Sequence, residues 1–476
     1  MSRRPGLSFE AMTVGLLFVV VAFGACLTVA QADTFWNLRA GQDIWRTGHV
    51  PNVDAYSYTA AGRAWPDHEW LWQAVAYPLF RLGGFPLLTA AAATSIVGAV
   101  ALVYRLTVGA VSTRFLLLAL AIPLASLVWT LRPQLATLLG LAVLLTLLVR
   151  DRTRWIPLLF LAWANAHAGV ALGGAVLSGA VVTAWLRARR ADASDVDRAR
   201  PRRLALALAA SAAATTLTPL GPGIFRFVLT SEARLRAAHI SEWMPFALGR
   251  GVAIAFVVLA VGFVALFARR ARLLCAAAWG DWVCVAAALV LLPLALRSAR
   301  HVGPWLLLAP AAASRLLGAD FRLRRRPAPP SGDHPVLNAL VLALVAGAAA
   351  ASIAVLWMLP LPRLGWRPVP AGALAAVRAC PDGLYNHYND GGYLIWLLPE
   401  RRVFVDSRQD PFELPFLLEH VRVESGQASA LPVLERWGAR CAFLPIESPT
   451  VATLAGAGWR TTYRDERWSV QVAPGR

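Results

Sequence analysis

The sequence predicts an all-α polytopic membrane protein with about eleven transmembrane helices and a small C-terminal α/β soluble domain. Hydrophobic residues make up 58% of the 476 residues, whereas charged residues make up only 15%. Soluble domains usually contain about 25% charged residues. Apolar runs of membrane-spanning length recur as far as residue 358 and do not occur in the tail. We therefore assign residues 1–360 to a transmembrane domain and residues 361–476 to the soluble domain.

The apolar runs define the predicted spans in chain order. The first span covers residues 11–31, and the next covers 84–104. Between them lies the first loop, residues 32–70. The later spans are predicted at 115–131, 134–149, 155–166, 168–186, 204–220, 251–268, 273–296, 304–318 and 335–358.

Two shorter helices are expected between the first two long spans. Residues 34–47 carry apolar side chains at near-helical spacing, which is typical of an amphipathic helix on the membrane surface. Residues 69–82 indicate an interfacial or half-length helix that precedes the span at 84–104.

The net charge of +19 would suit a nucleic-acid-binding protein. The arginines, however, occur in short clusters between apolar runs, as the positive-inside rule describes for membrane proteins. The largest cluster, at 187–203, is predicted on the same side as the N-terminus. This bias places the N-terminus in the cytoplasm and, with an odd number of spans, the C-terminal domain outside it. We expect no nucleic-acid partner.

The C-terminal segment has the pattern of a small α/β domain. Strand-length apolar runs occur at 402–406, 441–445 and 467–472, and helix-like pieces occur at 431–437 and 449–455. Cys380 and Cys441 both fall in this domain. If the domain is extracytoplasmic, these two cysteines either form a disulfide or remain separate thiols, and their spacing does not decide between the two.

Carboxylates and aromatic rings alternate in and just after the first loop. They are Asp33, Asp43, Asp54, Asp67 and Glu69, with Trp36, Trp45, Trp65, Trp70 and Trp72. Amphipathic rings favour the membrane–water boundary, and a carboxylate held there can act in acid–base chemistry. Asp33 is therefore a candidate base for an acceptor hydroxyl, or alternatively a helix cap. Asp67 and Glu69, which flank His68, could bind a divalent metal, bind substrate or cap the following helix.

Further polar residues lie at the predicted outer ends of the spans. Arg132, in the sequence LRPQL, is either a phosphate ligand or an arginine that extends to the interface. His167, in WANAHAGV, either faces a cavity or has a structural role. The same alternatives apply to Glu242, Arg300 and His301. The chain contains none of the Walker lysine, HExxH, GxSxG or dinucleotide glycine motifs, so we expect no soluble nucleotide cofactor.

The first-loop segments DTFWNLRAG (33–41), PNVDAYSYT (51–59) and GRAWPDHEWL (62–71) resemble a family of bacterial membrane proteins with GT-C glycosyltransferase-like architecture. Further similar segments are RPQ (132–134), NAHAG (165–169), EW (242–243), NDGGYLIW (389–396) and VFVDSR (403–408). Asn37 stands where the family pattern has histidine, so no role is transferred to that position.

The resemblance implies a catalytic acidic residue in the first outer loop and a sugar donor carried on a polyprenyl phosphate. Asp33 would be the general base, and Asp67 or Glu69 an accessory acid or a ligand of a divalent metal. Arg132 and His167 would serve the donor phosphate, while Trp36 and Trp70 would stack on sugar. Glu242, Arg300 and His301 are further candidate substrate-binding residues.

The leading hypothesis from the sequence is a glycosyltransferase in the bacterial inner membrane. It would move sugar from a polyprenyl-phosphate donor to a glycan, lipid or protein acceptor on the outer face, with membrane lipids as further partners. Two alternatives are a transporter or flippase of lipid-linked glycans and a non-catalytic membrane scaffold. The absence of a clear internal repeat argues against the transporter.

Overall fold

A computed structural model describes residues 7–237, 241–245, 250–321, 334–359 and 364–475. These residues form two compact units. Unit 1 comprises Met1–Thr28, Pro86–Glu232 and His239–Leu359, so far as they are described. Unit 2 comprises Val29–Phe85, Ala233–Ala238 and Pro360–Arg476, with the same restriction. The first loop therefore belongs to the same compact unit as the C-terminal segment.

Helices account for most of the chain before residue 360. Their bounds are α1 Phe9–Cys26, α2 Ala32–Thr47, α3 Trp70–Leu106, α4 Val111–Ser126, α5 Gln134–Val149, α6 Ile156–Ala166, α7 Val170–Ala188, α8 Asp195–Thr215, α9 Gly223–Ala237, α10 Arg250–Arg270, α11 Trp279–Arg297, α12 Val302–Phe321 and α13 Pro335–Met358. Each of the predicted spans overlaps one of these helices, although several bounds differ by five residues or more. The prediction of a helical membrane fold is thus confirmed.

Six helices among the described residues are long and apolar enough to cross a membrane. They are Phe9–Cys26, Trp70–Leu106, Val170–Ala188, Gly251–Cys275, Trp279–Arg297 and Pro335–Met358. Two shorter apolar helices are Val111–Ser126 and Gln134–Val149. Apolar side chains on several of these helices are exposed rather than packed against protein, as expected for surfaces that face lipid. The chain is a multi-pass membrane protein.

Helix α3 contains the predicted division between a short helix and a span. Gly83 and Gly84 have non-helical backbone angles, and the φ of Gly84 is 61°. This left-handed conformation suits glycine because glycine lacks a Cβ. The residues before this break form the short helix predicted at 69–82, and those after it form the next span.

The C-terminal part of unit 2 is a small α/β fold. Its elements are α14 Ala371–Arg378, β1 Leu384–Asn386, α15 Gly391–Leu397, α16 Leu414–Glu424, α17 Leu431–Arg436, β2 Cys441–Pro445, α18 Pro449–Gly456, β3 Arg460–Arg464 and β4 Trp468–Val472. The strand order is β1-β2-β4-β3. Strands β1 and β2 pair in parallel, and the other pairs are antiparallel. Cys380 and Cys441 form a disulfide, which settles the alternative that the sequence left open.

The first loop contributes side chains to the core of unit 2. Trp36, Ala40 and Trp65 pack in one buried cluster with residues of β1, β2 and β4. On the apolar face of α2, Phe35 and Leu38 are almost fully buried, whereas Trp45 is 62% exposed. The helix predicted at 34–47 is present, but the expectation that this face rests on the membrane surface is wrong for Phe35 and Leu38.

Candidate functional site

Asp33 lies in the first turn of α2, where the structure holds its side chain by hydrogen bonds. The hydroxyl of Ser407 donates to Asp33 Oδ1, and Trp36 Nε1 donates to the same oxygen over 3.2 Å. The start of α2 is also tightly packed, because a Cβ added to Gly392 would come within 2.2 Å of the carbonyl oxygen of Ala32. Asp33 is therefore both near a helix N-terminus and fixed in orientation by two donors.

The residue that follows Ser407 is buried together with two carboxylates. Arg408 donates through Nε and Nη2 to the two oxygens of Asp406, over 2.8 and 2.7 Å. Its Nη2 also lies 2.6 Å from Asp54 Oδ1, and none of these three side chains is exposed. The guanidinium packs over the rings of Tyr56 and Trp65, at 4.8 and 4.6 Å from their centroids. This combination of paired charge and aromatic stacking is well suited to arginine.

Backbone pairing aligns the first loop with the segment that carries these residues. Ser57 and Val403 form a parallel bridge, and the hydroxyl of Thr59 donates to the carbonyl of Phe404. On the other side, the Asn386 amide donates to Val405 O over 2.8 Å and accepts from Phe404 N over 2.8 Å. The Asn386 side chain thus makes the backbone hydrogen bonds that a neighbouring strand would otherwise provide. The segment predicted as a strand at 402–406 makes the isolated bridge at Val403 and does not form a regular strand.

The segment YNHYNDGGY (385–393) lies against the same region and is largely buried. Tyr385 donates to Glu424 Oε1 over 2.5 Å. Burial first, and then the charge of Glu424, raises the pKa of Asp390 well above its usual range. Burial lowers the pKa of His387 and lowers that of His420 to about 3. Asp390, His387 and His420 therefore favour their neutral forms. The many polar residues of the segment 385–393 belong to a buried network rather than to a solvent-exposed turn.

Asp67 is buried immediately before α3. Its Oδ1 accepts from Glu69 N over 3.1 Å and from Gln73 Nε2 over 3.0 Å, which is the geometry of a helix-start cap. Burial raises the pKa of Asp67 to about 7, although both hydrogen bonds and the charge of Arg408 act in the opposite direction. Glu69 is half-buried, with its Oε1 3.9 Å from His68 Nε2.

These residues do not form a recognisable metal site. Among the described residues, no group of three or more histidine, cysteine, aspartate or glutamate side chains has an arrangement that could hold a metal ion. Asp67, His68 and Glu69 are consecutive, and Asp67 directs one oxygen to the start of α3.

The two tryptophans predicted to bind sugar differ in their surroundings. Trp36 is 6% exposed, and its ring meets that of Trp65 edge to face. Its indole nitrogen is the donor to Asp33 described above. Trp70 is half-buried at the first position of α3. Trp70 is therefore the more exposed of the two residues.

In unit 1, Arg132 and Glu242 form a close ion pair. Arg132 Nη2 lies 2.6 Å from Glu242 Oε1, and its Nε donates to Thr130 Oγ1 over 2.8 Å. Gln134 adds an acceptor 3.2 Å from the same Nη2. Pro133 is the N-cap residue of α5, so Arg132 lies immediately before the N-terminus of that helix. The Arg132 side chain is 13% exposed.

His167 and Arg300 form a second polar contact in unit 1. Arg300 Nη2 lies 2.8 Å from His167 Nε2, and His167 Nδ1 lies 2.7 Å from Thr137 Oγ1. The backbone N–H of Gly169 donates to the same Nδ1 over 3.1 Å, so both ring nitrogens of His167 have hydrogen-bond partners. Arg300 also packs over Trp243, 4.8 Å from the ring centroid, and His301 meets the same ring edge to face.

The predicted site residues thus fall into two groups that the sequence could not distinguish. Unit 2 contains Asp33, Trp36, Asp67, Glu69 and Trp70. Unit 1 contains Arg132, His167, Glu242, Arg300 and His301, which interact through Trp243 and the pairs described above. Sequence reasoning did not assign roles to Ser407 and Arg408. The only signal for them was the family-like segment VFVDSR at 403–408.

Comparison with known proteins gives fold-level matches. No protein-family model and no curated protein sequence matches the chain. The crystal structure of ArnT from Cupriavidus metallidurans in the apo state matches with a TM-score of 0.52 and 15% identity, over 97% of this chain and 98% of ArnT. The archaeal oligosaccharyltransferase AglB from Archaeoglobus fulgidus, in complex with an inhibitory peptide and a dolichol-phosphate, matches with a TM-score of 0.52 and 11% identity. That match covers 91% of this chain and 69% of AglB.

At these identities the likeness concerns the fold. It extends over almost the whole of this chain and includes both the helical unit and the sheet-containing unit. The expected resemblance to GT-C membrane proteins is confirmed for the fold. The chain has an ArnT-like GT-C fold, with a polytopic helical membrane unit and a small α/β unit.

Proposed function

We propose that this protein is an integral-membrane glycosyltransferase of the GT-C type. It would move a sugar from a polyprenyl-phosphate donor to a glycan, lipid or protein acceptor at the outer face of the bacterial inner membrane. The observation that carries the proposal is the oriented carboxylate of Asp33 in the first loop of an ArnT-like fold. AglB, which shares the fold, is an oligosaccharyltransferase whose structure contains a dolichol-phosphate.

Asp33 is suited to act as the general base. In the proposed step the acceptor oxygen forms a bond to the anomeric carbon, and the bond from that carbon to the donor phosphate oxygen breaks. Asp33 takes the proton of the acceptor hydroxyl, and the polyprenyl phosphate leaves with the electron pair of the broken bond. A positioned carboxylate of this kind contributes about 10²–10⁴-fold to the rate.

Arg132 and Arg300 are suited to bind the donor phosphate. Each guanidinium is already oriented by a protein partner, Glu242 for Arg132 and His167 for Arg300. Pre-oriented guanidinium groups bind phosphate with less loss of side-chain freedom than flexible ones. We assign His167, Glu242 and His301 to the support of these two arginines.

Trp36 is assigned a different role from the one that the resemblance implied. Its ring is buried and its N–H donates to Asp33, so we propose that it orients the carboxylate rather than stacks on sugar. Trp70 remains the candidate for stacking on sugar. Asp67 and Glu69 are proposed to hold the start of α3, because Asp67 accepts from the Glu69 backbone.

The Cys380–Cys441 disulfide supports an extracytoplasmic location for the C-terminal segment. Disulfides persist in oxidising compartments and are rare in the cytoplasm. The arginine bias of the sequence favours the same orientation. The reaction would therefore take place on the outer face.

The proposal is tested by a mass-spectrometric profile of envelope glycans, glycolipids and glycoproteins in a strain that lacks this protein. The strain is complemented at matched expression with wild type, Asp33→Asn or Asp382→Asn. Asp382 is the control because its side chain is fully exposed, and it lies in the same unit. We expect a sugar to be lost on deletion and restored by wild type and Asp382→Asn, but not by Asp33→Asn.

Equal restoration by Asp33→Asn would exclude Asp33 as the base. A change in the amount of lipid-linked donor on each face, with transfer unaffected, would instead indicate a transporter.

A further inference from the structure

Local hydrogen bonds hold the turn that carries Ser407. Arg408 N donates to Asp406 Oδ1 over 2.9 Å, and Asp410 N donates to Arg408 O over 2.7 Å. Gln409 has a φ of 67°, in the left-handed region that non-glycine residues seldom occupy. Such conformations persist where the surrounding structure determines them, and they occur often at functional sites.

Side chains hold the same turn from a second direction. The buried guanidinium of Arg408 connects Asp406, its neighbour across Ser407, with Asp54 of the first loop. Asp54 in turn accepts from the backbone of Tyr56 and Ser57, over 3.1 and 3.2 Å. The residues on both sides of Ser407 are thus immobilised against the first loop. Ser407 has little freedom to move relative to α2, which belongs to the same unit.

The hydroxyl of Ser407 acts on a single atom of the proposed base. It donates to Asp33 Oδ1, which also accepts from Trp36 Nε1. Trp36 lies one turn further along α2 than Asp33, so its donation is local, whereas that of Ser407 comes from the C-terminal segment. Two donors on one oxygen define the plane of the carboxylate, which either donor alone would not do.

We propose that Ser407 is a positioning residue of this enzyme and that Arg408 anchors it. Ser407 orients the Asp33 carboxylate toward the acceptor hydroxyl, and the Arg408–Asp54–Asp406 cluster maintains the distance from Ser407 to α2. This inference rests on the proposed transferase function. It gives the C-terminal segment a direct part in catalysis, since the segment supplies a hydrogen bond to the base.

The test compares Ser407→Ala, Ser407→Thr and Ser425→Ala in the purified full-length protein, with a polyprenyl-phosphate-linked sugar as donor. Ser425 is the matched control because it is exposed and its hydroxyl donates to the local carbonyl of Arg422 over 3.2 Å. We expect Ser407→Ala to lower kcat by about 10–100-fold with KM unchanged, since small misplacements of a reacting group have effects of this size. Ser407→Thr keeps the hydroxyl and is expected to recover most of the kcat, and Ser425→Ala to match wild type.

A folded Ser407→Ala protein with wild-type kcat would overturn the proposal. A second measurement does not need activity: the Tm values of Asp33→Ala, Ser407→Ala and the double variant. If the two side chains interact, the decrease in Tm of the double variant is smaller than the sum of the decreases in the two single variants. Additive losses would overturn the inferred contact. A wild-type protein without transferase activity would contradict the proposed function, whereas the Tm values would still decide whether Ser407 acts on Asp33.

Discussion

Arg408 pairs with Asp54 through a contact of 2.6 Å between Nη2 and Oδ1, and neither side chain is exposed. One partner belongs to the first loop and the other to the C-terminal segment, so the contact joins two distant parts of the sequence within one compact unit. The pair is completed by Asp406 and by the rings of Tyr56 and Trp65. The loop that carries the proposed base is therefore a core component of the α/β unit.

Replacement of Arg408 by methionine is expected to destabilise unit 2 strongly. The change leaves the carboxylates of Asp54 and Asp406 buried without their cation, which typically costs about 3–5 kcal/mol. Thermal unfolding followed by tryptophan fluorescence would measure the loss. The matched control is Arg378→Met, because Arg378 and Glu400 form an ion pair that is about half exposed and is worth at most about 1 kcal/mol. Equal stability of the two variants would contradict the prediction.

Asp67 is expected to make stability depend on pH. Its pKa is raised in the folded protein to about 7, so the folded state retains the proton while the unfolded state loses it. Stability should therefore be greatest below the pKa of an ordinary aspartate and should decline as pH rises to about 7. The free energy of unfolding should fall by at most about 1.4 kcal/mol per pH unit over this range.

Asp67→Asn should remove this contribution, since the amide keeps an oxygen for Gln73 and carries no charge. Unfolding of wild type and variant at pH 5 and pH 8 would measure the difference. We expect the variant to gain stability relative to wild type at the higher pH, and Asp382→Asn to follow wild type at both. Parallel pH profiles for wild type and Asp67→Asn would contradict the burial argument.

The disulfide is expected to contribute substantially to the stability of unit 2. Cys380 and Cys441 are separated by 61 positions, and closing a loop of this length is worth about 4 kcal/mol in the chain-entropy model. The double variant Cys380→Ser, Cys441→Ser should show a corresponding loss of stability in thermal unfolding. Reductant should lower the Tm of wild type and leave that of the double variant unchanged. A wild-type Tm that is insensitive to full reduction would contradict this expectation.

Arg132→Lys is expected to weaken donor binding. Lysine retains the charge but loses the planar fork that bonds Thr130, Gln134 and Glu242 together. We expect KM for the lipid-linked donor to rise about tenfold, which corresponds to about 1.4 kcal/mol. Arg154→Lys is the control because Arg154 is an exposed arginine of the same unit, outside this cluster. An unchanged KM in Arg132→Lys would remove Arg132 from the proposed phosphate ligands.

The helical unit was largely predictable because its signal is local. An apolar run of sufficient length has few alternatives to a helix in a membrane, and each predicted span overlaps an observed helix. Strand β2 was also predicted with its observed bounds, since it is a buried strand with a nearly continuous apolar run. Strand β1 has only three residues, and β3 is mostly exposed, so neither has an apolar pattern that separates it from a loop.

The contacts of the candidate site were less predictable because they are not local. The position of Asp33 after the first span is visible in the sequence, but its donor Ser407 comes from the other end of the chain. The strand pattern at 402–406 looks regular, although its observed partners are one bridge and the Asn386 side chain. Likewise, the sequence around Trp36 is typical of aromatic residues at the membrane–water boundary, whereas the structure shows that the Trp36 side chain is buried.

The most direct test of the account is the rate of sugar transfer by the purified full-length protein with Asp33 replaced by asparagine. The assay would use polyprenyl-phosphate-linked sugars as donors and the acceptor identified from the envelope profile. The account predicts that Asp33→Asn lowers kcat by about 100-fold or more, while Asp382→Asn transfers like wild type. A folded Asp33→Asn protein that transfers sugar at the wild-type rate would contradict it.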